Sequence, residues 1–208
     1  MTESELPELF TVGHSNHTLE KFLDLLEQHS INAIADVRSQ PFSRYTPHFN
    51  REALERALKH RGIFYVFLGT QLGARRSEPE CYLDGKVSYE RTANSELFQQ
   101  GVERLQRGVE RHRIALMCAE KDPLDCHRSI LIARYIEPLF RIQHILDEGQ
   151  LEQQSQLEHR LLVEHKMDKN ELFRTEAERL VDAYASQSSR LAYVANEESD
   201  PQYEEGFP

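Results

Sequence analysis

Ile114-Ala115-Leu116-Met117-Cys118-Ala119-Glu120-Lys121-Asp122-Pro123-Leu124-Asp125-Cys126-His127-Arg128 is the stretch whose reading decides the fold. Its first four residues are apolar without alternation, as in a strand buried on both faces of a parallel sheet. A polar turn follows, and then the start of a helix. With Asp125 as N-cap, Cys126, His127 and Arg128 fall in the first turn with free backbone N–H groups pointing outward. Ligands of open α/β sheets gather at such a junction of strand end and helix start.

Working outward, the same alternation recurs. Leu9 to Val12 reads as a first strand ending at Gly13-His14-Ser15, and Thr18 caps a helix with Leu19, Phe22, Leu23 and Leu26 on one face. Ile31 to Ala35 forms a second strand, which ends in Asp36-Val37-Arg38 and a Pro-punctuated loop from Ser39 to Phe49. Asn50 caps the next helix, Gly62 ends it, and residues 63–68 form a third strand. Gly69 and Gly73 open a long loop reaching about Glu90, whose length suits a lid or wall. Ser95 starts a helix leading to the fourth strand at 113–118. A helix from Cys126 to about Ile136, stopped by Pro138, leads to the fifth at 141–145.

Four strand–helix alternations specify an α/β fold: a three-layer, Rossmann-like sandwich with a mostly parallel sheet of about five strands, plus C-terminal helices. The expected organisation is an α/β core over residues 1–149 carrying the cleft. Two amphipathic helices over 150–186, with Leu151, Leu157, Leu161, Leu162, Leu172, Phe173, Leu180 and Val181 as their apolar positions, pack on core or partner. A weakly ordered acidic tail takes 187–208.

The chain of 208 residues is 39% hydrophobic and carries a net charge of -10. Residues 1–145 hold 19 Lys and Arg against 20 Asp and Glu, whereas residues 146–208 hold 6 against 15. The body is thus nearly neutral, which argues against a basic face for extended nucleic acid and leaves room for a local pocket of arginines suited to a compact anion. No apolar run approaches the length of a membrane span, and the first residues lack the pattern of a signal peptide. Three cysteines form no disulfide framework, so free thiols in a reduced compartment, the cytoplasm, are expected.

In a parallel sheet the strand ends share one edge, which would bring together His14, Ser15, Asp36, Arg38, Gly69, Cys118, Glu120, Cys126, His127 and Arg128. Glu120 and Asp36 are candidates for acid, base or nucleophile, with His14, His127 and Cys126 assisting. Arg128 and the amides of its helix suit an anion, unless Arg128 neutralises Asp122, Asp125 or Glu120. Asp36 could equally pair with Arg38 or Arg128. Cys118, at the end of an apolar strand, reads as a packed hydrophobe. Ser39, Arg44 and Tyr45, from a loop mixing guanidinium and aromatic faces, are further ligand-binding candidates. A metal site is not favoured. Cys118, Cys126, His127 and His14 match no paired ligand spacing, and adjacent helical residues point in different directions.

The ordered set Thr11-Val12-Gly13-His14-Ser15, Asp36-Val37-Arg38-Ser39, Ser43-Arg44, Phe67-Leu68-Gly69, Leu72-Gly73, Asp84-Gly85, Tyr89-Glu90, Cys118-Ala119-Glu120, Cys126-His127-Arg128 and His144-Ile145 resembles the bacterial family called domain of unknown function 488. The likeness extends over about residues 9 to 165. It implies a Rossmann-like fold, and by loose analogy with nucleotide-processing α/β domains it favours a nucleotide-type ligand.

The leading functional expectation is therefore an enzyme, a hydrolase or transferase, binding a small phosphorylated or nucleotide-like molecule at the carboxyl edge of the sheet. One alternative is a thiol- or metal-dependent redox or sensor protein using Cys118 and Cys126. Another is a non-catalytic interaction module, with a homodimer or protein partner held through the C-terminal helices.

Overall fold

A computed structural model describes residues 6–169 and 173–194. The chain opens with β1 (Glu8–Gly13), α1 (Leu19–Gln28), β2 (Ala33–Asp36), α2 (Arg51–His60) and β3 (Phe64–Phe67). It continues through α3 (Gly69–Leu72), a hairpin of β4 (Tyr82–Leu83) and β5 (Lys86–Val87), α4 (Tyr89–Ala93), α5 (Glu96–Val109) and β6 (Ile114–Cys118). Wide, π-type helical turns over Arg128–Ala133 run on into α6 (Arg134–Ile136). β7 (Arg141–Ile145), β8 (Leu151–Gln153), α7 (Gln154–Glu164) and α8 (Glu176–Leu191) complete it.

Six strands form one sheet in the order β3-β2-β6-β1-β7-β8. All neighbours are parallel except β7 and β8. The sequence makes β6 central because every one of its residues is buried. Alternate side chains feed two cores. On one face Phe10, Val12, Ile34, Ala115 and Met117 meet the apolar stripes of α1 and α2. On the other Leu9, Ala33, Ala35, Leu116 and Cys118 meet α5 and the 128–136 helix, together with Leu157, Leu161, Ala183 and Tyr184 of α7 and α8. The result is a three-layer α/β sandwich. The C-terminal helices are part of its core.

The Thr18 and Ser95 caps form as the sequence indicates, each side chain accepting from the backbone N–H three residues on. Four details differ. The segment after Gly69 is no open loop, because α3, the hairpin and α4 fold it back and the buried Arg76 guanidinium ties it down by donating to the carbonyl of Gln71 at 2.8 Å. β8 is a sixth, antiparallel strand too short to leave a pattern. Asn50 stands at the N-cap of α2, but its side-chain oxygen accepts from the Ser43 N–H instead. α8 runs five residues past 186, to Leu191, while residues 195–208 lie outside the described part. Phe173 precedes α8 and is exposed, and Leu172 is outside the described residues. Among the described residues no helix is long and apolar enough to cross a membrane.

Candidate functional site

The carboxyl ends of β1, β2 and β6 lie side by side, with Gly13 in register with Cys118 and Asp36 with Met117. Pairing continues beyond the strands: His14 N–H donates to the Cys118 carbonyl and Ser15 N–H to that of Ala119, both at 2.9 Å, and Val37 N–H to Met117 at 3.0 Å. Gly13 is required here, since a Cβ on it would overlap the Glu120 carbonyl oxygen. Ser15 takes a left-handed backbone (φ 48) as the chain turns away toward α1.

Asp36 is fully buried and grips Arg38 by two bonds, from Nε at 2.9 Å and from Nη2 at 2.6 Å, while Tyr65 donates its hydroxyl at 2.8 Å. The same guanidinium donates to the Phe49 carbonyl (2.9 Å) and to Nε2 of His14 (3.1 Å). Because Arg38 is always a donor, Nε2 of His14 carries the lone pair and Nδ1 donates to the Ser15 carbonyl at 2.9 Å. Burial, then the Arg38 charge, lowers the His14 pKa to about 4, so the ring is neutral. It stacks on Phe49 with centroids 4.3 Å apart.

The second cluster is built from the quoted stretch. Cys118 Sγ lies 2.9 Å and Cys126 Sγ 3.0 Å from the same oxygen, Oε2 of Glu120. Nδ1 of His127 lies 3.5 Å from the first sulfur and 3.9 Å from the second. Nε2 of His127 donates to the Val37 carbonyl at 3.0 Å, which turns Nδ1 toward the thiols. Both cysteines and His127 are buried, whereas Glu120 reaches the surface. Burial, and beside it the Cys126 sulfur, pushes the Cys118 thiol well above its usual range. Burial opposes ionisation of Cys126 as well, but the hydrogen bond from Cys118, the Arg128 charge and His127 together hold that thiol well below its ordinary value. Desolvation of its inner oxygen and the Cys126 sulfur raise the Glu120 carboxyl.

This cluster corrects the reading of the local backbone. Asp125 caps nothing; Asp122 does, its carboxylate accepting the Leu124 N–H at 2.9 Å in a single tight turn over Pro123–Asp125. Cys126 is then extended (φ -135, ψ 140), and helical backbone begins only after it, at His127. Cys126 and His127 are therefore not neighbours on a helix, and both turn toward Cys118. Cys118 is more than a packed hydrophobe. His14, counted among the metal-type donors from sequence, belongs to the Arg38 cluster, and Glu120 takes its place.

Of the amides expected to hold an anion, Cys126 N–H donates to the Pro123 carbonyl at 3.3 Å and Arg128 N–H to Cys126 Sγ at 3.4 Å. Arg128 is fully buried, and its two terminal nitrogens donate to the carbonyls of Glu120 (2.7 Å) and Lys121 (3.0 Å), so it fastens the turn instead of neutralising Asp122, Asp125 or Glu120. Arg38 is held by Asp36. Outside Glu120 opens a surface cavity of about 700 Å³, where Lys121 pairs with Asp147 and Arg160 with Asp122 and Glu152. That lining is acidic, an unfavourable field for an anion.

The remaining candidates lie around this centre. Ser39 accepts from the Arg75 N–H at 2.9 Å and so holds the chain after α3. Gly69 is buried against the Arg38 carbonyl, which leaves no space for a Cβ. Ser15 is half-buried beside His14, and Arg44 and Tyr45 stand exposed on their loop, Tyr45 by 97%. Tyr65 was missed, because its hydroxyl reaches Asp36 from the edge strand β3 and an aromatic in an apolar run gives no sign of a polar role. Also missed was a buried polar chain in which Thr11 Oγ1 lies 2.8 Å from His144 Nδ1, His144 Nε2 2.9 Å from Gln154, and Gln154 donates to the Tyr184 hydroxyl at 2.8 Å.

No curated protein and no solved structure matches the chain. A family model described as Domain of unknown function DUF488 matches residues 18–135, more than half of the chain and most of the site, from Asp36 and Arg38 through Cys118, Glu120, Cys126, His127 and Arg128. The chain belongs to the DUF488 family.

Proposed function

We propose that the protein is thiol-dependent and works through Cys118 and Cys126, with Glu120 as their proton partner. The observation that carries this reading is that both sulfurs sit within 3.0 Å of one carboxylate oxygen at a rim that otherwise seals them in. A phosphorylated or nucleotide-like ligand has less support, because the arginines that would hold it are engaged by Asp36 and by backbone carbonyls.

The chemistry follows from the pair. Cys126 passes its proton to Glu120, and its sulfur attacks one sulfur of a small disulfide and expels the other as a thiolate, which takes that proton from Glu120. Cys118, handing its own proton to Glu120, then attacks Cys126 and expels the second small thiolate, which that proton neutralises. Two protein thiols and one disulfide thus become one protein disulfide and two small thiols. A reducing compartment such as the cytoplasm would restore the pair.

Oxidation of the folded protein with diamide tests the reading. The expected product is a Cys118–Cys126 disulfide found by peptide mass spectrometry, with Cys81 still a free thiol. Failure of either cysteine to react in the folded state would refute it.

A further inference from the structure

Four potential ligand atoms, Cys118 Sγ, Glu120 Oε2, Cys126 Sγ and His127 Nδ1, lie within 4.8 Å of one another. Tetrahedral coordination at bond lengths of roughly 2.0–2.3 Å needs ligand atoms roughly 3.3–3.8 Å apart. The sulfur-to-oxygen and sulfur-to-nitrogen separations here span 2.9 to 3.9 Å and every pair lies within 4.8 Å, so side-chain rotation without backbone movement can close the shell.

Two features outside the four atoms point the same way. The bond from His127 Nε2 to the Val37 carbonyl aims Nδ1 at the two sulfurs and is the outer partner that metal-bound histidines commonly have. The Arg128 N–H directed at Cys126 Sγ stabilises negative charge on that sulfur without competing for its position. The donor set is two sulfurs, one imidazole nitrogen and one carboxylate oxygen. Such a set suits zinc and its neighbours, whereas magnesium and calcium require oxygen.

We infer that Cys118, Cys126, His127 and Glu120 form a binding site for a zinc-class divalent cation. The inference rests on the thiol-pair reading and names what the reduced pair holds. The three buried ligands fix the ion. Glu120, exposed and bordering the cavity, is the ligand that yields its position to water or to a substrate atom.

The test uses the full chain, reduced and stripped with chelator, titrated with cobalt(II) and then zinc(II). One equivalent of cobalt should bind with a sulfur-to-cobalt charge-transfer band and the intense visible bands of a tetrahedral ion, and zinc should displace it. Cys118→Ser and Cys126→Ser should each weaken zinc binding by more than roughly 100-fold, the upper end of what loss of an outer partner costs. Cys81→Ser should leave it unchanged. Should a variant fail to fold, zinc-edge X-ray absorption of the wild type serves instead, with two sulfur ligands at about 2.3 Å as the supporting result. No cobalt uptake, or a shell of nitrogen and oxygen alone, overturns the inference. In that event a diamide-formed Cys118–Cys126 disulfide leaves the thiol reading standing, and unreactive thiols remove both.

Discussion

The carbonyl of Val37 accepts a hydrogen bond from Nε2 of His127 at 3.0 Å, across 90 residues of sequence. Val37 lies between Asp36 and Arg38, so this one bond joins the buried ion pair at the end of β2 to the thiol cluster after β6. The two halves of the site are thus directly joined.

Breaking the ion pair should therefore be costly. Asp36→Asn leaves the Arg38 guanidinium buried at 6% exposure without its counter-charge. A loss of about 3–5 kcal/mol is expected, seen as a fall in Tm of roughly 10 °C or more. Adding Arg38→Met should recover part of that loss, because no unpaired charge remains. A double variant as unstable as the sum of its parts would count against this account.

Acid should weaken the fold through two histidines. Burial is the largest cause holding the pKa of His14 and of His144 at about 4, against 6.5 for a histidine in water. Between these values the unfolded chain binds protons that the folded chain does not. The stabilisation is complete above pH 6.5 and is lost as pH falls toward about 4, by an amount on the order of 3 kcal/mol for each group. Urea denaturation at several pH values should show it, and His144→Gln should flatten the dependence. Equal slopes in both proteins would refute the assignment to His144.

Gly13→Ala should destabilise by more than about 2 kcal/mol and lower Cys118 and Cys126 reactivity together, because the new methyl group meets the Glu120 carbonyl. Gly101→Ala, where the neighbours are side chains of Leu72 and Gln71, should cost less and leave the thiols unaffected. Denaturation midpoints and alkylation rates separate the two outcomes.

Removal of residues 150–208 should abolish cooperative melting. Leu157, Leu161, Ala183 and Tyr184 complete the core on one face of the sheet, and Gln187 donates to the Leu124 carbonyl at 2.8 Å, bracing the turn that precedes Cys126. A truncated chain that still melts sharply would make these helices a dispensable addition.

The sheet was readable because its evidence is local. The unbroken apolar run before Cys118 and the Thr18 and Ser95 caps carry their meaning within a few residues. The convergence of His14, Asp36, Glu120 and Arg128 also followed, from parallel topology alone. Side-chain aim did not. One choice of cap, Asp122 over Asp125, decides whether Cys126 is extended or helical, and so whether its sulfur meets Cys118. Nor could sequence reveal that Arg128 folds back onto two carbonyls, since a guanidinium suits a backbone as well as it suits an anion.

The position of β1 near the middle of the sheet has a kinetic consequence. Its partners arrive late, since Phe10 pairs with Ala115 and Glu8 with Arg141. During synthesis the first strand leaves the ribosome with neither neighbour made, and more than a hundred residues must follow before it can dock. Such non-local closure is slow. The nascent chain thus keeps an apolar segment unpaired through about half of its elongation, and the thiol cluster comes into being only when that wait ends.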